Sequence, residues 1–266
     1  MTVEKNHYEY IVRLENLQLN YGKIEALKNI SFAVKSNEIV GLIGDNGAGK
    51  SSLIKVITGV EKPTRGKLFV RDKEISFKGH SVKKVHDLGI ETVYQTSSLG
   101  EKQPLWRNFF VGRQIKNRWG FINVQKEKAI AQEMLLEKIG FRGVGITVDS
   151  PISELSGGER QGVAIGRAMY FDADLIILDE PTVALSLKEV AKVLNFVREI
   201  KESGRSCIYI EHNMYHVYEV CDRFVILDRG EVVNVFEKHE ISLNQLNEYL
   251  LSLSTKKIKG GSRILV

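Results

Sequence analysis

The sequence predicts an α/β fold built around a buried parallel sheet. Short apolar segments of strand length alternate with longer segments whose apolar residues recur at helical spacing. Several strand segments are apolar throughout, as in residues 175–178, which is typical of strands buried on both faces. A chain of 266 residues, 43% of them hydrophobic and 27% charged, suits one large globular unit with a full core.

The strands are predicted from short apolar segments rich in Val, Ile, Leu and Phe. We expect them at residues 11–19, 30–34, 38–43, 67–70, 90–94, 175–178 and 207–210. Two further strands, residues 224–227 and 232–235, flank Arg229-Gly230, and this turn dipeptide predicts a hairpin.

The helices are predicted from apolar residues three and four positions apart. We expect them at residues 49–58, 124–139, 156–171, 187–202, 214–221 and 242–253. The mostly helical residues 97–151 interrupt the strand–helix alternation, so we expect an inserted subdomain within a single domain of residues 10–253. Residues 254–266 are basic and rich in Lys, Gly and Ser, and we expect a flexible tail there.

Composition excludes several classes of protein. No apolar run reaches the ~18 residues that a membrane span needs, and the charged first ten residues do not resemble a signal peptide. Two cysteines, Cys207 and Cys221, fit a reducing compartment and no disulfide framework. Within the net charge of +5, residues 61–84 contribute +5 and residues 255–266 contribute +4, so the remainder of the chain carries −4. We interpret this excess as solvated surface, with a membrane surface or a nucleic acid as the alternative partner.

The strongest motif is Gly44-Asp45-Asn46-Gly47-Ala48-Gly49-Lys50-Ser51, which follows a predicted strand and precedes a predicted helix. It matches G-x-x-x-x-G-K-[ST], the phosphate-binding loop of nucleotide-binding proteins. Its glycines let backbone N–H groups approach phosphate oxygens, and the helix adds its positive dipole end. We expect Lys50 to bind the β and γ phosphates and Ser51 to bind Mg²⁺.

Asp179 and Glu180 end an apolar strand and form the second signal. Such a strand delivers its last carboxylates to the carboxyl edge of the sheet, where ligands bind in open α/β folds. We expect Asp179 to hold Mg²⁺, directly or through water, and Glu180 to polarise the attacking water.

Leu155-Ser156-Gly157-Gly158-Glu159 is the third signal. Ser156 and Glu159 have the spacing of a capping box at a helix start. Capping does not explain the two glycines, which favour a close approach of a ligand to the helix N-terminus.

These three motifs, in this order, resemble the nucleotide-binding subunit of an ATP-binding cassette (ABC) transporter. The resemblance extends over residues 14–253 and implies a P-loop NTPase-type core with a mostly parallel sheet, an N-terminal antiparallel β part and the helical insertion. It implies that Tyr21 stacks on adenine, that Gln95 binds Mg²⁺ and senses the γ phosphate, and that His212 positions water beside Glu180. The nucleotide contacts that it implies are Tyr21, Gly44, Asp45, Asn46, Gly47, Ala48, Gly49, Lys50, Ser51 and Ser52, together with Ser156, Gly157 and Gly158 of an opposing protomer.

The resemblance also implies partners and a location. Two copies would bury two ATP molecules, with Mg²⁺, in a head-to-tail sandwich. Transmembrane permease subunits and, indirectly, a solute-binding protein would complete the assembly at the cytoplasmic face of the membrane; nucleic acid is not expected. The permease would dock near residues 96–110, where Leu99, Leu105, Trp106, Phe109 and Phe110 are either anchors for a partner helix or the subdomain's own core.

Three segments, residues 89–95, 184–186 and 211–217, resemble importers of monosaccharides such as ribose, xylose and fructose. Two residues depart from the general family pattern: Ser186 replaces an acid and Glu211 replaces a serine. We expect Glu211 to raise the pKa of His212 if their side chains meet. Alternatives are a cassette for another solute or a non-transport ABC ATPase acting on nucleic acid, although the repair type inserts a long coiled coil that is absent between Lys50 and Ser156.

Overall fold

The computed structural model describes residues 8–94, 99–138 and 146–260. It contains two sheets. One is antiparallel, with strand order β2-β1-β4-β5, and the other has the order β10-β9-β3-β8-β7-β6. In the second sheet β9, β3, β8, β7 and β6 run parallel and only the edge strand β10 is antiparallel. The predicted α/β class, with a mostly parallel core and an N-terminal antiparallel part, is therefore confirmed.

The strands extend or trim the predicted segments by a few residues. Their bounds are β1 Tyr10–Tyr21, β2 Ile24–Lys35, β3 Ile39–Ile43, β4 Arg65–Val70, β5 Lys73–Glu74, β6 Ile90–Val93, β7 Leu175–Asp179, β8 Ser206–Ile210, β9 Arg223–Asp228 and β10 Glu231–Glu237. The central strands β3 and β8 are buried throughout, as continuous apolar sequences predict for a sheet covered on both faces.

The helices are α1 Lys50–Ile57, α2 Val82–Asp87, α3 Leu105–Phe109, α4 Val124–Gln132, α5 Gly157–Tyr170, α6 Leu187–Glu202, α7 Met214–Val220 and α8 Leu243–Gly260. A π-helical turn, Glu133–Lys138, continues α4. The short α2, α3 and β5 were not predicted, since they are too short to show a period. None of the helices in the described ranges is long and apolar enough to cross a membrane.

The last helix is longer than the sequence predicted. Helix α8 continues to Gly260, seven residues past its predicted end at residue 253. The flexible tail expected from residue 254 stays a prediction. The added residues contain no proline, and Ser254 and Thr255 bond back to the carbonyls of Leu250 and Leu251, so they satisfy their hydroxyls within the helix. Residues 261–266 lie outside the described ranges.

Residues 99–155 and helix α5 share a separate apolar cluster. Leu105, Phe109 and Phe110 are fully buried, and Leu99 is nearly so. They pack on residues from α4, α5 and the π-helical turn. These four side chains therefore form a core, which decides between the two interpretations that the sequence left open for them. Trp106, the fifth residue of that set, is half-buried at the edge of this cluster.

A buried charged cluster joins this helical region to the parallel sheet. Glu91 on β6 is 5% exposed, and its Oε1 lies 2.5 Å from Nη2 of Arg113 and 3.3 Å from Nδ1 of His86. Arg167 on α5 also acts electrostatically on Glu91. Burial, followed by the charges of Arg113 and Arg167, lowers the pKa of His86 to about 4. The His86 ring is therefore neutral at pH 7.

This shift makes the stability of the fold depend on pH. The unfolded chain takes up a proton on His86 near its ordinary pKa of 6.5, whereas the folded chain resists until about pH 4. Stability should thus fall as the pH falls from about 6.5 towards 4. The variant His86→Gln keeps a neutral donor and should lose this dependence, so the difference in unfolding free energy between the two proteins should change across that window. Urea unfolding at several pH values measures it, and parallel curves for the two proteins would contradict the assignment.

Candidate nucleotide-binding and catalytic site

The loop between β3 and α1 forms one wall of a cavity of about 440 Å³. The loop residues Asp45, Asn46, Gly47, Gly49, Lys50, Ser51 and Ser52 line this cavity. Two glycines are required by their surroundings. A Cβ on Gly44 would lie 2.4 Å from the carbonyl oxygen of Leu227, and Gly49 has φ +107° with its Cβ position 3.0 Å from the oxygen of Ala26. Side chains at these positions would displace the loop from the strands behind it.

Backbone hydrogen bonds hold the loop in place. Ala48 donates to the carbonyl of Asp45 over 3.0 Å, and Gly230, in the β9–β10 turn, donates to the carbonyl of Ala48 over 2.9 Å. Gly49 precedes α1 and offers no side chain to cap it. The amides of the first helical turn are therefore free of a side-chain acceptor, which suits a bound anion.

Lys50 is 9% exposed and is held by the loop itself. Its Nζ donates to the carbonyl oxygens of Gly44 over 2.5 Å and Asp45 over 3.3 Å. Burial lowers the pKa of Lys50, while the carboxylates of Glu180, Asp179 and Asp45 act in the opposite direction. A buried ammonium with carbonyl partners is placed to exchange them for phosphate oxygens.

The carboxyl end of β7 brings two acids to the same edge of the sheet. Burial, followed by repulsion from Glu180, raises the pKa of Asp179. Glu180 lines the cavity and has φ +51°, a left-handed conformation that a non-glycine residue rarely adopts. Its backbone N–H donates to the carbonyl of Ile210 on β8 over 2.9 Å. Backbone strain of this kind clusters at functional sites.

His212 contacts Glu180 directly, since its Nε2 lies 2.8 Å from Glu180 Oε1. The resemblance had implied that these two residues, 32 positions apart, both position the attacking water. The neighbouring Glu211 behaves differently from our expectation. Its carboxylate is buried and accepts from the backbone N–H of His212 and from the hydroxyl of Thr182. It therefore orients the turn that carries His212.

The N-terminus of α5 carries the Ser-Gly-Gly segment away from this cavity. Ser156 and Glu159 form the predicted capping box, with bonds of 3.3 Å and 2.9 Å between side chain and backbone. Gly158 has a packing reason that the sequence did not show. The backbone N–H of Gly158 donates to Glu189 on α6 over 3.0 Å, and a Cβ on Gly158 would lie 2.6 Å from that side chain.

Glu189 is the main residue of this region that sequence reasoning missed. It accepts from the backbone N–H of Ser186 over 3.0 Å and from its hydroxyl over 2.8 Å. These bonds, with those from Gly158 and Ser156, lower the pKa of Glu189 to about 2, the backbone bond of Ser186 contributing most. Ser186, which departs from the family pattern, thus caps α6 and holds a carboxylate at the start of α5.

Several predicted residues do not line the cavity, among them Gly44, Ala48, Asp179 and His212. Gln95 lies outside the described residues. Tyr21 ends β1 and is 39% exposed, but the wall nearest to it in the sheet is formed by Ile24, Glu25 and Ala26. Ile24 is 70% exposed there, and Arg229 lines another side of the cavity. Neither residue was predicted for this site from the sequence.

The comparisons with known proteins agree with this geometry. The family model described as "ABC transporter" matches residues 27–183. The chain is 37% identical to the xylose/arabinose import ATP-binding protein of Sulfolobus acidocaldarius, over 95% of this chain and 98% of that protein. It is 32% identical to the ribose import ATP-binding protein of Bacillus licheniformis, over 84% of this chain but only 44% of that longer protein.

Among solved structures, a nucleotide-free ATP-binding cassette from an ABC transporter superposes with a TM-score of 0.75 and 26% identity, over 90% of this chain and 95% of that one. The predicted fold, family and ATPase class are thereby confirmed, while the roles of individual site residues stay predictions. The chain belongs to the ABC transporter family, as one of its ATP-binding cassettes.

Proposed function

We propose that this cassette hydrolyses ATP to power a permease that imports a monosaccharide. The observation that carries the ATPase part is the convergence of Lys50, Glu180 and His212 at one edge of the parallel sheet, beside an open cavity. The sugar rests on what the similar proteins are named for: import of xylose and arabinose in one and of ribose in another. The match over nearly the whole length of the first supports a single-cassette importer subunit.

The site residues divide the chemistry between them. The loop amides and Lys50 bind and orient the phosphates of ATP. Glu180, held in place by its strained backbone and by His212, accepts a hydrogen bond from the attacking water and aligns it with the γ phosphorus. His212 Nε2, 2.8 Å from Glu180, fixes that carboxylate and stabilises charge as it develops.

The donor set fits Mg²⁺. Asp179 and Ser51 offer one carboxylate and one hydroxyl, the oxygen donors that this ion takes beside nucleotide phosphates. Burial and the charge of Glu180 raise the pKa of Asp179, so its ionised form is destabilised in this structure. A divalent cation would supply the positive charge that stabilises the carboxylate. When bound, Mg²⁺ neutralises charge on the phosphates. The residues proposed to hold it are Ser51, Asp179 and, outside the described ranges, Gln95.

The catalytic site is proposed to be complete only in a dimer. Ser156 and Gly157 are exposed, and none of Ser156, Gly157 and Gly158 lines the cavity of their own chain. In a two-fold head-to-tail dimer the start of α5 would close the partner's site, and the exposed Ser156 hydroxyl would face the γ phosphate. A permease and, through it, a solute-binding protein would complete the assembly at the membrane.

Glu180→Gln tests the role of the carboxylate. The variant should bind Mg-ATP with unchanged affinity yet hydrolyse it ~10²–10⁴ times more slowly, because the amide cannot act as a base. The ATP-bound dimer should then accumulate and elute earlier from a size-exclusion column. Glu219→Gln, which changes an exposed carboxylate on α7, is the control and should hydrolyse ATP like the wild type. Normal turnover in Glu180→Gln would remove the residue from its proposed role.

Lys50→Ala tests ground-state binding of the phosphates. Loss of charge-assisted bonds worth ~1.5–3 kcal/mol each should weaken ATP affinity by roughly one to two decades. Isothermal titration calorimetry measures it. Lys55→Ala, on the exposed face of the same helix, is the matched control and should bind ATP normally. Equal affinities of Lys50→Ala and the wild type would contradict the proposed loop contacts.

The sugar is tested by reconstitution. The chain, combined in vesicles with a candidate sugar permease and its solute-binding protein, should hydrolyse ATP faster when the preferred solute is present. Xylose, arabinose and ribose are the first solutes to try, because the similar proteins are named for them. Stimulation by a solute other than a sugar would leave the ATPase assignment intact and overturn the sugar.

A further inference from the structure

Residues 102–126 carry six Lys or Arg residues and no Asp or Glu, one more positive charge than the +5 net charge of the whole chain. The same 25 residues contain both tryptophans of the protein, Trp106 and Trp119. These charges lie outside residues 61–84 and the C-terminal tail, the two basic segments noted above. A basic, acid-free segment with this aromatic content calls for a separate explanation.

Part of this segment forms a small hairpin of residues 115–123. Lys116 and Ile122 make an antiparallel bridge, Asn123 donates to the carbonyl of Ile115 over 2.7 Å, and Asn117 donates to that of Phe121 over 2.8 Å. The Asn117 side chain accepts from the backbone N–H groups of Trp119 and Phe121 over 2.9 Å and 3.1 Å. The tip is therefore a hydrogen-bonded turn with a defined shape.

A hydrogen bond and apolar packing hold the base of the hairpin against the helical region. The carboxylate of Glu127, itself 1% exposed, accepts from the backbone N–H of Ile115 over 2.7 Å. Ile115 packs against the apolar cluster that contains Leu105 and Phe109. The base of the hairpin is thus part of the folded core, which fixes the tip relative to it.

The tip exposes large apolar side chains. All residues from 116 to 122 are exposed, with Trp119 at 73%, Phe121 at 72% and Ile122 at 41%, and Val124 follows at 40%. Phe109 and Phe110 in the same segment are fully buried in the apolar cluster of the helical region, whereas the side chains at the tip are not part of that core. An exposed apolar cluster of this kind marks a contact surface.

Cations surround these aromatics. Arg118 lies 5.1 Å from the centre of the Trp119 ring, and Arg107 and Lys128 each lie 5.9 Å from that of Trp106. Within the described ranges, Lys116, Arg118 and Lys126 have no carboxylate within ion-pair distance. Trp with neighbouring Lys and Arg is the composition that binds the interface of an anionic bilayer, where the ring enters the headgroup layer and the cations bind phosphates.

We propose that this hairpin inserts Trp119 and Phe121 into the headgroup layer of an anionic membrane, with Lys116 and Arg118 bound to lipid phosphates. The contact lies on the helical region, which also contains residues 96–110, where the permease is expected to dock. It would hold the cassette against the bilayer independently of ATP. A membrane fits better than a nucleic acid, because the aliphatic Ile122 and Val124 join the aromatics at the tip.

The test measures binding of the full-length, nucleotide-free chain to vesicles. The protein should sediment with vesicles containing equal parts of phosphatidylcholine and phosphatidylglycerol, more weakly with phosphatidylcholine alone, and less as salt is added. Trp119→Ser with Phe121→Ser should weaken partitioning at least about tenfold. Leu251→Ser, which changes an exposed apolar residue on α8, should partition like the wild type. Equal partitioning of the double variant and the wild type would overturn the proposal.

Charge is tested in the same way. Lys116→Glu with Arg118→Glu should abolish the preference for phosphatidylglycerol, whereas Lys62→Glu with Lys83→Glu, in the other basic segment, should not. The reverse result would move the contact to residues 61–84 and overturn the proposal. ATP binding should be unchanged in all of these variants, since none of the residues lines the nucleotide cavity, so a failure here leaves the cassette function standing.

Fluorescence reports on the tip itself. In a Trp106→Phe background Trp119 is the sole tryptophan, and its emission should shift to the blue and resist acrylamide quenching when anionic vesicles are added. An unchanged spectrum would overturn the insertion. Vesicle binding that survives in the double variant, together with loss of co-purification with the permease, would assign the hairpin to a protein contact instead. Retention on a single-stranded oligonucleotide but not on vesicles would assign it to nucleic acid.

Discussion

The site depends on how charge is balanced where parallel strands end. Strand β7 brings Asp179 and Glu180 to this edge, and the loop after β3 brings Lys50 there. All three lose hydration, which lowers the pKa of Lys50 and raises that of Asp179. The opposite charges of Lys50 and Asp179 offset part of each other's desolvation cost. The cluster therefore favours a protonated Lys50 beside an ionised Asp179. The carbonyls of Gly44 and Asp45 then hold the ammonium where phosphate oxygens would replace them.

The parts of the site that are built from residues close together in the sequence could be predicted from it. The phosphate loop, the capping box of Ser156 and the terminal acids of β7 are local patterns, and the structure has each of them in the expected element. Glu189 could not be predicted, since its contact with Gly158 joins residues 31 positions apart on two helices. From the sequence alone, the glycine pair indicated only the approach of a ligand. In the structure, Gly158 also makes room for the side chain of Glu189.

The apolar residues of the helical region show a second limit. Phe109, Phe110, Trp119 and Phe121 lie within one short stretch of sequence, and nothing in their spacing separates core from surface. The structure divides them completely: the first two are fully buried and the last two are more than 70% exposed. The division follows from the hairpin, whose turn at Gly120, with φ +83°, carries the second pair away from the core. Such a turn sets burial through tertiary geometry, which pattern analysis does not contain.

The buried cluster around Glu91 connects these two parts of the molecule. Arg113 belongs to the helical region and Arg167 to α5, and both act on a carboxylate carried by β6. Movement of α5 away from β6 would separate these charges, so α5 and the end of β6 should move together. Since Gln95 follows β6 in the chain and α5 begins at Ser156, the cluster would couple the two segments of one protomer that we propose contact the two ATP molecules of the dimer.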